Sequence, residues 1–142
     1  MGISCFEMNK PGQTFHKTER LCSTKIIADL FESGNIFYVP LFKVVWQKSP
    51  VSLSFPAQVV FSVSKKGFRL AVTRNLIKRR MREAYRRHKK DLYDYLLSEN
   101  IQLVFIVIFR ESRIADYPVI EKSMSEVINK LVNHIKEKDN KC

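Results

Sequence analysis

Twelve basic side chains crowd residues 65 to 90: Lys65, Lys66, Arg69, Arg74, Lys78, Arg79, Arg80, Arg82, Arg86, Arg87, Lys89 and Lys90, against one acid, Glu83. Such a cluster is suited to holding phosphate oxygens, and guanidinium groups do this through paired, planar N–H donors. The window carries +11 by itself, equal to the formal net charge of the whole 142-residue chain. Removing it from the 25 Lys+Arg and 14 Asp+Glu leaves 13 of each sign, so the rest of the chain is formally neutral. A solubilising surface mixes its signs, whereas a local excess makes a directed field that orients an anionic partner, either nucleic acid or an anionic membrane surface.

No constellation for catalysis by the chain itself accompanies the cations. A protein nuclease needs clustered carboxylates for metal ions, or His and Lys placed for acid and base work. His16, His88 and His134 are dispersed without ligand spacing, and Asp91, Asp94 and Glu99 follow the basic segment at spacings common on any solvated helix. There is no Gly-rich phosphate loop or nucleophile motif. Cys5, Cys22 and Cys142 are odd in number and widely separated, which suggests neither a disulfide framework nor a zinc site. The opening MGISCFEMNK does not read as a secretory signal, and the longest apolar run, residues 103 to 109, is far short of the ~20 residues of a spanning helix. A cytoplasmic protein without a membrane span is expected.

These cations need a scaffold, and 45% hydrophobic residues with ten Phe, five Tyr and one Trp supply a core for a single globular domain. Residues 1 to 16 lack periodicity and read as a flexible arm, leaving residues 17 to 138 as the domain. Leu21, Ile26, Ile27, Leu30 and Phe31 suit an amphipathic helix from Lys17 to Phe31, stopped by Ser33-Gly34-Asn35. Ile36 to Trp46 reads as one strand with Pro40 at an edge or bulge, and residues 50 to 56 as a turn. Gln58 to Lys65 alternates, with Val59, Phe61 and Val63 on one side and Val60, Ser62 and Ser64 on the other, as a strand with one polar face does.

Thr73 can cap the basic helix, expected over about 73–88 and continuing toward Leu97 only after a break near Lys90. Ile101 to Phe109 reads as a strand covered on both faces. Pro118 opens a last helix with a stripe of Ile120, Met124, Val127, Ile128, Leu131 and Ile135. The order helix, strand, strand, basic helix, strand, helix predicts one α+β domain, a small sheet packed against helices.

On a helical wheel the basic segment divides cleanly. Ile77, Met81 and Ala84 fall together, flanked by Leu76 and Tyr85, while Asn75, Lys78, Arg79, Arg82 and Arg86 form an opposite stripe about 100° wide. Like charges three and four apart repel by a few tenths of a kcal/mol per pair, a cost that an anionic ligand offsets. Between positions 74 and 87 arginine outnumbers lysine six to one, which favours phosphate recognition over a lipid surface, where charge alone suffices and apolar residues must also be exposed. Glu83, four residues from both Arg79 and Arg87, reads as an intrahelical ion-pair partner.

With SVSKK (Ser62 to Lys66) followed by RNLIKRRMREAYR (Arg74 to Arg86), the sequence resembles the protein subunit of bacterial ribonuclease P. The motif positions are Arg74, Asn75, Lys78, Arg79 and Arg82, and the resemblance extends through ERLCSTKIIADLFESG to the terminal helix, about residues 17 to 135. It implies a left-handed βαβ crossover in a single-domain α/β sandwich like domain 2 of ribosomal protein S5. It also implies an accessory subunit of a ribonucleoprotein endoribonuclease, inactive alone, binding the catalytic RNA and the 5′ leader of precursor tRNA, with no obligate protein partner. Magnesium serves that holoenzyme and is held mainly by RNA.

The RNA-binding residues expected are Lys65, Lys66, Arg74, Asn75, Lys78, Arg79, Arg82 and Arg86. A leader cleft between the sheet and the first helix is implied at Phe31, Val45, Ser62, Ser64 and Lys66, with no catalytic or metal-ligating residue in the protein. Two features depart from the family: seven residues separate Lys66 from Arg74, and Val45 stands where an aromatic is common, so that Phe42 or Tyr38 are the alternative rings. A general or ribosomal RNA-binding protein, or a nuclease acting alone, are the competing readings.

Overall fold

The computed structural model describes residues 19–21, 23–50 and 52–141; the expected arm at 1 to 16, and residues 17 and 18 of the expected first helix, lie outside these. Helix α1 spans Thr24–Ser33, later than the periodicity suggests, because Ser23 caps it by accepting the Ile26 N–H at 3.3 Å. Residues before it run alongside the sheet instead: Arg20 bridges Val59 in parallel, and the Leu21 N–H donates to Val59 O at 2.9 Å. Gly34 ends the helix, its N–H donating to Leu30 O at 2.8 Å. A Cβ there would lie 2.6 Å from both Leu30 O and Val45 Cγ1, so the chain can turn this closely onto the sheet only with glycine.

The expected single strand from Ile36 to Trp46 is two: β1, Asn35–Val39, and β2, Phe42–Lys48. Pro40 and Leu41 form the two-residue turn between them, Pro with its fixed φ first and Leu41 at φ 76° second. The fourth strand follows from this hairpin. β3 is Ala57–Val63, α2 Ala71–Ser98, β4 Leu103–Phe109 and α3 Tyr117–Lys141. The sheet order is β1-β2-β4-β3, antiparallel except for the β3–β4 pair, which is parallel and joined through α2.

Register assigns the two faces. Phe37, Val44, Phe61, Phe105 and their alternates pack under α2 and α3 in the larger core, where the Ile120 to Ile135 stripe of α3 is wholly buried. Leu21, Ile26 and Leu30 cover Val45, Val104 and Ile106 on the opposite face. β4 is thus covered on both sides, as its unbroken apolar run demands.

The basic helix is longer than expected and unbroken at Lys90. Thr73 is inside it and caps nothing; Leu70 takes the N-cap position without a side-chain bond. Leu92, Tyr93 and Leu96 continue the buried face past the cationic stretch, and packing of that face sustains the helix. It stops at Ser98, where Asn100 adopts φ 55°, Asn100 N donates to Leu97 O and Ile101 N donates to Leu96 O at 2.9 Å, the doubly bonded left-handed stop of many helices.

Candidate nucleic-acid interface

Ile77, Met81, Ala84 and Tyr85 are fully buried, so the wheel of α2 has the orientation its pattern requires. Asn75 and Arg79 are exposed, and Lys78 and Arg82 are half-buried along the same outward side. Among the described residues, Lys78, Arg79 and Arg82 have no carboxylate within ion-pair distance. Burial, and then repulsion from Arg20 and Arg79, lower the pKa of the Arg82 guanidinium. Repulsion of this kind is relieved by an anion.

Arg20 therefore joins the stripe, although it lies far from it in sequence. The bridge to Val59 on β3 carries it beside α2. No local spacing signals this; only the RL pair ahead of the first apolar stripe marks the place.

The remaining cations of the window divide by what they touch. Arg74 Nη1 donates to Phe68 O at 2.8 Å and Arg69 O at 2.9 Å, bracing the loop that leads into α2. Arg80 Nη1 donates to Ala115 O at 2.7 Å, tying α2 to the segment before α3. Arg86 meets Glu83 at 2.6 Å and Arg87 meets it at 3.4 Å. The Arg86 hydrogen bond holds the Glu83 carboxyl below its ordinary range. Glu83 is thus an intrahelical partner as expected, but of Arg86 and Arg87 rather than Arg79, and Arg86 is less available to a ligand than its place on the wheel suggests.

Lys89 points inward. Its ammonium donates to the buried Glu19 carboxylate, to which the Tyr93 hydroxyl also donates, and Tyr85 Oη lies 3.5 Å from Tyr93 Oη. Burial lowers the Lys89 pKa and raises those of Tyr85 and Tyr93. No pattern along the chain marks this cluster, which anchors the segment carrying Arg20 to the basic helix.

The second candidate surface is the part of the sheet that α1 leaves open. Pairing registers align Tyr38, Lys43, Ile108 and Ser62 across the four strands on that face. Phe31 is 59% exposed at its border. Ser62 is half-buried, while Ser64, Lys65 and Lys66 are exposed in the turn after β3, where Ser64 Oγ accepts the Lys66 N–H at 3.1 Å. Val45, expected to line the cleft, is only 1% exposed; α1 lies on it, because Gly34 brings the helix end down to its side chain. Of the two alternative rings, Phe42 is core and Tyr38 is 48% exposed on the open face.

Among the described residues no three His, Cys, Asp or Glu side chains converge to hold a metal ion. His88 Nε2 lies 3.4 Å from Glu121, His134 packs on Phe37, and Asp94 pairs with Lys90 at 3.4 Å. No helix among the described residues is long and apolar enough to cross a membrane.

The family model described as Ribonuclease P matches residues 15–132. The ribonuclease P protein component of Porphyromonas gingivalis is 30% identical over 119 residues, covering 84% of this chain and 87% of that protein. That of Chlorobium phaeobacteroides is 45% identical over 83 residues, covering 56% of this chain and 57% of that one. The Staphylococcus aureus RNase P protein superposes with TM-score 0.62 at 25% identity, over 81% of this chain and 95% of that one. The Thermotoga maritima RNase P protein does so with TM-score 0.60 at 20% identity, over 79% and 96%. The cationic helix, the α+β fold and the matched span agree: the chain belongs to the ribonuclease P protein component family, and so is part of a tRNA-processing endoribonuclease.

Proposed function

We propose that the outward stripe of α2 binds the catalytic RNA, and that the open face of the sheet receives the 5′ leader of precursor tRNA. The observation that carries this reading is the row Lys78, Arg79 and Arg82, unpaired by carboxylates among the described residues and rigidly spaced on a helix whose other side is core. Helical spacing suits it to a folded polyanion rather than to a diffuse counter-ion cloud. The exposed Phe31 ring, the polar Ser62 and Ser64, and Lys66 suit an unpaired strand, for which aromatic faces and scattered cations supply most of the affinity.

In this reading the protein raises substrate affinity and the RNA subunit carries the chemistry, holding most of the magnesium. The site of action is the cytoplasm, without an obligate protein partner. Reconstitution tests it. The protein alone is expected to leave precursor tRNA intact, and its addition to the cognate RNA subunit to raise cleavage at low magnesium. Shortening the 5′ extension is expected to weaken holoenzyme binding. Stimulation without any dependence on leader length restricts the protein to the RNA-subunit role.

A further inference from the structure

The geometry points to Tyr38 and Arg110 as a base-stacking platform at the β1 edge of the sheet, holding an unpaired nucleotide of the leader beyond the cleft wall; this rests on the assignment of the open face to the leader. The Arg110 guanidinium lies over the Tyr38 ring at 4.6 Å from its centroid. Lys43 stands beside Tyr38 as its cross-strand partner. Lys130 Nζ donates to Tyr38 O at 2.9 Å, fixing the backbone that presents the ring. Lys43 and Arg110 have no carboxylate within ion-pair distance among the described residues.

A half-exposed ring with one cation on its face and another beside it matches what an unpaired ribonucleotide needs: a flat surface for the base and positive charge for its phosphate. Val45 cannot serve, being covered by α1, and Phe42 is buried in the other face. From Ser62 to Tyr38 the row crosses three strand spacings, ~14 Å at ~4.8 Å each. That length lets one extended strand touch both. Protection of an edge strand from self-pairing requires only charge, and leaves the exposed ring without a purpose.

The test measures holoenzyme affinity for precursor tRNA with a one-nucleotide leader and with a leader of several nucleotides. Tyr38→Ala is expected to weaken binding of the long-leader precursor by about fivefold to hundredfold, the range for removal of one base stack, and to leave the short-leader precursor within about twofold. Tyr38→Phe keeps the parent affinity, and Arg110→Gln gives a smaller loss confined to the long leader. Equal loss on both precursors, or none on either, overturns the proposal. If the parent separates the two precursors and Tyr38→Ala still does so equally well, the platform is wrong while the leader reading stands. If the parent does not separate them, both fail. Self-association of the parent that Tyr38→Ala abolishes, with no leader effect, assigns the patch to a second copy of the chain and also overturns it.

Discussion

Lys89 and Glu19 form an ion pair sealed inside the protein, linking the middle of the cationic helix to the segment that precedes α1. One of the twelve window cations is thereby withdrawn from the surface and becomes the counter-ion of a carboxylate seventy positions away. The pair fixes where Arg20 stands relative to Arg79 and Arg82, so a buried contact shapes the exposed field.

Lys89→Met leaves the Glu19 carboxylate buried without its cation. A loss of about 3–5 kcal/mol of stability is expected, because breaking one side of a buried pair exposes the full desolvation cost of the other. Replacing both, as Glu19→Leu with Lys89→Met, is expected to recover most of it. Urea unfolding midpoints measure the difference, and equal losses in the single and double variants contradict it.

Arg20→Ala, Arg79→Ala and Arg82→Ala are each expected to weaken binding to the RNA subunit and to flatten its salt dependence by somewhat under ~1 for each phosphate no longer neutralised. Because Arg79 repels Arg82 and meets no carboxylate among the described residues, Arg79→Ala is expected to retain parent stability. Titration of affinity against salt, with melting curves on the free protein, separates the two effects. Unchanged slopes contradict phosphate contact.

Glu83→Gln takes from Arg86 its 2.6 Å carboxylate partner and leaves Arg87 with Glu121 at 3.9 Å. Tighter RNA binding and a steeper salt slope are expected. The hydrogen bond from Arg86 lowers the Glu83 pKa in the folded state, so the unfolded chain binds its proton more readily. The pair's contribution is fully present above the ordinary glutamate range and fades as pH falls through the depressed value. As a partly exposed helical pair it contributes about 0.3–0.5 kcal/mol at most, and acid unfolding curves of parent and variant are expected to converge at low pH.

Gly34→Ala places a methyl against Leu30 O and Val45 Cγ1. The helix end must lift from the sheet, at a cost of about 1–3 kcal/mol, the scale of overpacking in a tight interior. Thermal melting detects it. If the variant melts with the parent, α1 does not need this close approach.

Much of the molecule is legible wherever a short-range period decides the outcome. Ile77, Met81 and Ala84 on α2, the alternation of Val59, Phe61 and Val63, and the α3 stripe each declare their buried side within two turns or three strand positions. What escapes depends on contacts between distant segments. The hairpin at Pro40-Leu41 is hidden in an aromatic and β-branched run where Pro40 reads equally as a bulge or edge position, with no glycine to mark the turn. Lys89 reads as surface because its partner, Glu19, lies on another element. Arg20 joins the stripe only through the bridge to Val59, and Tyr38 is exposed because it lies on the face of the sheet that α1 leaves open, whereas Phe37 and Val39 of the same strand face the core. Val45 is a cleft position only by the family resemblance; the descent of Gly34 onto it is tertiary.

β2 and β3 never touch, since β4 lies between them. During synthesis the four-stranded sheet therefore cannot close until residue 109 has emerged, and before that the cationic helix, with its self-repelling stripe, has only β3 to pack against. Fragments ending before β4 display the charge without the geometry. Discrimination between one folded RNA and any passing polyanion thus arrives late, with the seven residues that complete the sheet.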